Sequence, residues 1–475
     1  MPHTLSRTSR RLLVAIRAAA VVMILLDFAA LLLPEQVAWG LWPIRYVPLG
    51  VTCVLAAGAL VLATAGEWLW ERATALRELL ARIRFGSPGV RALLAIVAGV
   101  LFSVFRIQNL RWGDAALLIK ALADPYRLTY VWQAPLDVYL HEKAWQLGNS
   151  LFGWPSPLPV YRIFSTLAGM IFVWVLLGLA ELLGRNRTER ALFAGLVLTL
   201  GTMQLFFGYV ENYPIMTLGV LIYTYLAMLC LRRKAALVWP AIALAITNAF
   251  HPSTIILTPS IIYLVFVTSE MSERNVQGSH GVFKEQGPRL SARSVLSVAV
   301  PYGIVLGGVI ALMTAGEHGL DALMGVDFPG GGDRSWFVPL FKITTEWQHY
   351  TMFSLGHLID VVNQQLLVAR MVWLTIVLVL VLARHRVRDL GREGVFLAVM
   401  AGFYLLLTLV WNADYGGQKD WDLFSPAAIP AALLLGWLLV RALPERRALR
   451  AAGWAIVSAQ GFHLIAWIWQ NTRPQ

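Results

Sequence analysis

The chain has 475 residues, 58% of them hydrophobic and 14% charged, with a formal net charge of +12. That apolar share lies far above the range of soluble globular domains and excludes that class. The basic residues stand in short clusters between apolar runs, a pattern that serves membrane orientation and headgroup contact rather than nucleic-acid binding.

Apolar runs of roughly 15 to 25 residues recur along the chain, each able to cross a ~30 Å hydrocarbon core. Residues 12–33 follow a basic start (Arg7, Arg10, Arg11) and read as a retained first span carrying Asp27. A second span covers residues 44–66. Residues 67–84 then place Trp68, Leu69, Leu76, Leu79, Leu80 and Ile83 at helical spacing opposite arginines, which predicts a helix lying in the membrane interface. Span three (90–105) opens onto a long polar loop, 106–159, and spans four to six follow at 160–183, 191–209 and 214–231.

Residues 235–267 are too long for one span and are broken at His251-Pro252, so they read as a helical hairpin of two shortish spans. A polar connection, 268–294, leads to span nine at 295–314. A second large loop holds Gly330-Gly331-Gly332 and an interfacial helix over 347–367. Spans ten to thirteen occupy 367–383, 394–411, 425–440 and 451–469. Cys53 and Cys230 both fall inside spans, which points away from a disulfide framework and from a thiolate metal site.

The Lys/Arg excess in alternate loops puts the N-terminus inside. The 106–159 loop, GYVENYP, the His251 turn, the Gly-rich loop and NADYGGQKDWDLF then share the outer face. Within them, Asp114 in RWGD is either the N-cap of a short helix or a carboxylate able to take a proton or bind a metal. Asp137 and His141 stand four apart on one helix face and read as a solvated contact. Glu211 either caps the helix opening at Pro214 or walls a polar pocket.

His251 is a helix-terminal residue or a ligand. Ser354, His357 and Asp360 lack the shaped oxyanion site of a hydrolase, although His357 and Asp360 can still face the site. Lys419 offers a point charge suited to phosphate, and Asp420 and Asp422 share one side of an irregular segment next to Gly416-Gly417.

RWGDAALL, GYVENYP, HYTMFSLGHLIDVVNQ and KDWDLFSP look similar to motifs in bacterial members of the GT-C superfamily of integral-membrane glycosyltransferases. That group includes protein O-mannosyltransferases, aminoarabinose transferases and oligosaccharyltransferases. The expected fold is all-α, polytopic and GT-C-like, with about thirteen transmembrane helices and amphipathic helices in the outer loops. Residues 1–89 would form two extra spans plus the interfacial helix, and residues 90–475 the transmembrane catalytic domain.

The resemblance implies transfer of a hexose or pentose from a polyprenyl-phosphate donor to an acceptor on the non-cytoplasmic side of the cell envelope. Asp114 matches the acidic residue of the first outer loop, the base or metal-linked carboxylate, and Glu211 stands as a second catalytic wall. Lys419, Arg334, Arg127 and His251 are the implied phosphate contacts, with Asp420, Asp422 and His357 also facing the donor. Many members pair acids at the Asp114 position, whereas Gly113 and Ala115 flank a single one here. A divalent cation, magnesium or manganese, is the one cofactor raised, with Asp114 its ligand. Membrane lipids are further partners. The competing reading is a lipid or sugar transporter or flippase, against which stand the crowding of acids at one surface and the unequal halves.

Overall fold

The computed structural model describes residues 5–83, 86–110, 113–122, 129–277, 290–325 and 335–473. Regular structure among the described residues is helical, apart from one isolated antiparallel bridge between Phe337 and Trp411. Helix α1 (Arg7–Leu26) starts at Ser6, whose hydroxyl accepts the Ser9 N–H, and runs on as a 3-10 segment to Leu31. The short α2 (Glu35–Ala38) leads through a 3-10 stretch to α3 (Leu49–Arg72) and α4 (Thr74–Arg82). Next come α5 (Pro88–Val104), α6 (Ala115–Leu122), α7 (Pro135–Phe152), α8 (Leu158–Leu183) and α9 (Arg187–Leu198).

After a 3-10 segment at Gly201–Phe206, the chain forms α10 (Tyr213–Leu231), α11 (Val238–Phe250), α12 (Thr258–Gln277), α13 (Ala292–Ala315) and α14 (Leu320–Gly325). The C-terminal part contains α15 (Leu355–Val368), α16 (Val372–Leu382), α17 (Gly391–Val410), α18 (Trp421–Phe424), α19 (Ala428–Ala442) and α20 (Arg446–Asn471). Helix starts carry the expected chemistry. Ser87 accepts the Val90 N–H at the head of α5, Asn186 accepts two N–H groups at the head of α9, and Pro214 opens α10.

Nine helices among the described residues are long and apolar enough to cross a membrane, and α15 with α16 makes a tenth segment bent by 97°. The chain is a multi-pass membrane protein. Of the remaining predicted spans, α5 and α11 are shorter apolar helices of 17 and 13 residues, and α9 has only 12 residues, so nine or ten spans stand among the described residues where about thirteen are expected. Local breaks explain the shortfall: the fifth predicted span stops at Leu198 and turns into the 3-10 segment, and His251-Pro252 ends α11.

The predicted interfacial helix also differs. Its first six residues complete α3, Ala73 leaves the helical region, and α4 follows with no buried residue. Helix α12 runs to Gln277, ten residues into the stretch expected as a loop.

The core is organised around α19, where every residue from Ala428 to Leu439 is buried. A helix apolar on all sides belongs in the middle of a bundle. Helix α3 packs along α20, and residues 12–63 share one hydrophobic core with α8, α9, α16 and α20.

Inside that core sits a polar triad built on one ion pair. Asp27 meets Arg370 directly, and His463 Nδ1 lies 3.3 Å from its other carboxylate oxygen; Asp27 is fully buried and each partner side chain is 2% exposed. A buried acid is tolerable only with such partners.

Candidate active site

The loop 412–420 delivers its acids to the head of the central helix pair α18–α19. Its fold is held from outside: Asn412 Nδ2 donates to the Trp347 carbonyl (3.1 Å) and Gly417 N–H to Asp360 (3.1 Å). Gln418 Nε2 also donates to Glu35 (2.8 Å). Trp421, 1% exposed, anchors the turn by packing edge-on against Tyr209 (5.4 Å) and Trp467 (4.6 Å), and its carbonyl accepts from Gln364 (2.8 Å).

Gly113 and Asp114 form a turn just before α6. Gly113 has φ +57°, and a Cβ there would lie 2.4 Å from Glu211 Oε1 and 2.8 Å from Asp422 Oδ2. Glycine alone suits both the backbone conformation and the approach of the two carboxylates. The Asp114 N–H donates to Glu211, whose second oxygen accepts the Asn212 N–H (3.4 Å). Asp422 accepts from Tyr209 Oη (2.9 Å) and from the Leu423 N–H (2.9 Å). Asp420 accepts the Tyr415 N–H (3.0 Å).

Segments more than 300 residues apart in sequence thus place four acids together. Glu211 and Asp422 are 3% and 2% exposed. Burial pushes the Glu211 carboxyl well above its ordinary range, and the charges of Asp422 and Asp114 push it further. Asp114 is raised by burial, and Asp420 is raised well above its usual value by burial first, with Asp422 and Asp114 adding repulsion. Tyr415 rises to about 12 through burial and the same acids. An upward shift makes each carboxylate a stronger proton acceptor, as a catalytic base needs.

The sequence alternatives at Glu211 and Asp114 resolve in geometry. The α10 N-cap is Asn212, without a side-chain capping bond, while the Glu211 carboxylate faces the Gly113 turn. Asp114 opens α6 through its backbone carbonyl, which accepts the Leu118 N–H (2.8 Å), and its side chain joins the acidic group. The Asp137–His141 pair is not solvated: Asp137 is fully buried, 3.0 Å from His141 Nδ1, and His141 stacks on Tyr161 at 4.0 Å.

His251 is the N-cap of the 3-10 segment Pro252–Leu257. It is 8% exposed, and its Nδ1 accepts the Ser253 N–H (3.3 Å) and meets the Ser253 hydroxyl (2.8 Å), capping a 3-10 segment. Burial lowers its pKa to about 4, so the imidazole is neutral. His357 bonds through Nδ1 to the Met352 carbonyl (2.8 Å) and stacks on Tyr350 (5.0 Å).

Tyr350 in turn bonds Asp360, which holds both Trp39 Nε1 (2.9 Å) and the Gly417 N–H. His357 and Asp360 therefore brace the acidic loop from behind. Ser354 caps α15 by accepting the His357 N–H (3.3 Å).

Lys419 is exposed beside Asp420. Arg127, Arg334 and Gly330–Gly332 lie outside the described residues. Sequence reasoning did not single out Tyr209, Trp421 or Gly113 for the roles they hold. Tyr209 and Trp421 stood inside quoted motifs, but only proximity reveals their partner. Among the described residues no group of three or more His, Cys, Asp or Glu side chains is arranged to hold a metal ion.

No protein-family model matches the chain, and no curated protein matches it either. Among solved structures it is similar to ArnT from Cupriavidus metallidurans bound to undecaprenyl phosphate. The identity there is 11% over 80% of this chain and 77% of that one, with a TM-score of 0.46. It is also similar to the Archaeoglobus fulgidus oligosaccharyltransferase in the apo form, at 12% identity over 81% of this chain and 55% of that one, with a TM-score of 0.41. Both are GT-C glycosyltransferases, the group whose motifs the sequence resembles.

Proposed function

We propose that the chain is a membrane glycosyltransferase that moves a sugar from a polyprenyl-phosphate donor to an acceptor at the outer membrane surface. The observation that carries this reading is the convergence of Asp114, Glu211 and Asp422 on the Gly113 turn, at the end of an apolar helical bundle. A lipid-linked donor needs apolar helices beside its chain and carboxylates beside its anomeric carbon. Its phosphate needs a cation, and Lys419 is an exposed one beside Asp420.

In the proposed step the acceptor hydroxyl attacks the anomeric carbon while the bond from that carbon to the donor phosphate oxygen breaks. Asp114 takes the acceptor proton as general base. Glu211 and Asp422 present negative charge to the positive character that develops on the sugar ring, as carboxylates do for oxocarbenium-like transition states. Tyr209 fixes Asp422 in place. The phosphate leaves with its lipid.

Labelled polyprenyl-phosphate sugars incubated with the purified protein test the reading. Wild type transfers label, and Asp114→Asn slows transfer about a hundredfold or more, within the range of one lost general base. No transfer from any donor, or an equally active variant, sinks it. The outward orientation is tested separately by Gln418→Cys labelling with a membrane-impermeant maleimide in intact cells, where protection would reverse the topology.

The transporter reading rests on one observation, the Asp27–Arg370–His463 triad within the spans, since ionisable groups there often mark translocation paths. Sugar-lipid uptake by vesicles that persists in Asp114→Asn and disappears in Asp27→Asn would favour it.

A further inference from the structure

The far end of the bundle holds a cavity of about 1020 Å³, at the upper limit of small-molecule sites. Its walls come from the end of α3, from α4, the start of α5, the end of α8, and the starts of α9 and α20. The acids stand at the opposite ends of the same helices: the residues just past α5 hydrogen-bond Phe207, and the α20 terminus bonds Gln108. Helix α5 alone, with 17 residues, separates the two places by about 25 Å. One bound phosphate cannot serve both.

Apolar residues such as Leu80, Leu94 and Leu177 make most of the wall, and Arg77, Arg187, Arg190 and Arg450 are set against a single lining carboxylate, Glu181. Two of these arginines are neutralised: Arg190 pairs with Glu181 (2.7 Å) and Arg450 with Glu67 (2.7 Å). The other two donate to backbone carbonyls. Arg77 bonds Glu71 O (3.3 Å), and Arg187 bonds Leu80 O (3.3 Å) and Ala81 O (2.7 Å). Among the described residues neither meets a carboxylate, so the cavity keeps an excess positive charge.

Its level in the bilayer is marked independently. Arg72 lies over Trp68 (4.2 Å) and Arg91 over Trp174 (4.5 Å), a tryptophan–arginine belt of the kind found at headgroup depth. Helix α4 has no buried residue and exposes Leu76 and Leu79 beside its arginines, as a helix resting on lipid would.

We infer that this cavity holds one anionic glycerophospholipid from the leaflet at the basic end. Its phosphate sits at Arg77 and Arg187 and its acyl chain lies along the leucine wall. The site is separate from the acids and does not depend on the function proposed for them.

Native mass spectrometry of the full chain in detergent, titrated with phosphatidylglycerol, phosphatidylcholine or a polyprenyl phosphate, tests the inference. Wild type takes one phosphatidylglycerol with at least tenfold preference over phosphatidylcholine. Arg77→Gln lowers that affinity about fivefold, the worth of one arginine near anionic lipid, and Ala191→Trp, which fills the mouth, lowers it as well. Both positions are exposed, so an unchanged thermal midpoint separates loss of lipid from loss of fold. Equal uptake of the two phospholipids, tighter binding of the polyprenyl phosphate, or unchanged adducts in both variants would each overturn the inference.

Discussion

The backbone N–H of Asp114 donates to the carboxylate of Glu211, 97 residues further along the chain. That bond ties the turn before α6 to the turn before α10, and the missing side chain of Gly113 lets Asp422 join them.

Gly113→Ala is therefore the sharpest probe of the site. The new methyl would meet both Glu211 and Asp422 and force an alanine into φ +57°. The backbone conformation alone costs about 1–2 kcal/mol, and displaced carboxylates should reduce transfer at least tenfold. Transfer rates measured beside a thermal midpoint check this. A fully active alanine variant would show that the acids need not approach so closely.

The buried acids should also set a pH dependence. Asp114 and Glu211 are both held above their ordinary values of 3.8 and 4.5. The folded state then binds their protons more tightly than the unfolded chain, so their stabilising contribution is complete below the ordinary values. It is lost as pH rises through the raised ones. The thermal midpoint should fall as pH rises above these ordinary values, and Glu211→Gln, which cannot ionise, should flatten that fall. Parallel slopes for the two proteins would remove the raised carboxyl from the account.

The membrane triad makes a third prediction. Arg370→Met strands the Asp27 charge in the core and should destabilise by about 3–5 kcal/mol, whereas Asp27→Leu with Arg370→Met should recover most of the loss. Thermal unfolding in detergent distinguishes the cases. A double variant no more stable than the single would assign the triad a role beyond charge compensation.

His251 and Lys419 can be separated by kinetics. His251→Asn keeps a capping side chain and should leave donor KM unchanged, since the native imidazole is neutral. Lys419→Gln should raise donor KM several-fold through loss of a charged phosphate contact. A large KM effect at His251 alone would restore the histidine as the phosphate ligand.

Much of this molecule is written locally. Apolar runs of helix length, basic clusters between them, Pro214 at the start of α10 and the break at His251-Pro252 each act within a few residues, and α5 and α10 begin and end within two residues of their predicted spans, whereas α9 stops well short of its own. The motifs around Asp114, Glu211 and Asp422 are likewise visible as polar islands in an apolar chain.

Tertiary structure decided what those islands do. Spacing made Asp137–His141 look like a solvated helix pair, yet α7 packs against α8 and buries it. His251 reads in sequence as a helix-terminal residue or a ligand; the fold buries it and turns its Nδ1 onto the Ser253 N–H. Asp27 gives no local hint of Arg370, which approaches only because α1 and α15–α16 are neighbours in the bundle. Helical periodicity reports which face of a helix is apolar, since that is a property of residues a turn apart. Which carboxylates share an interior, and hence which protons they hold, depends on distances between distant segments that no local pattern encodes.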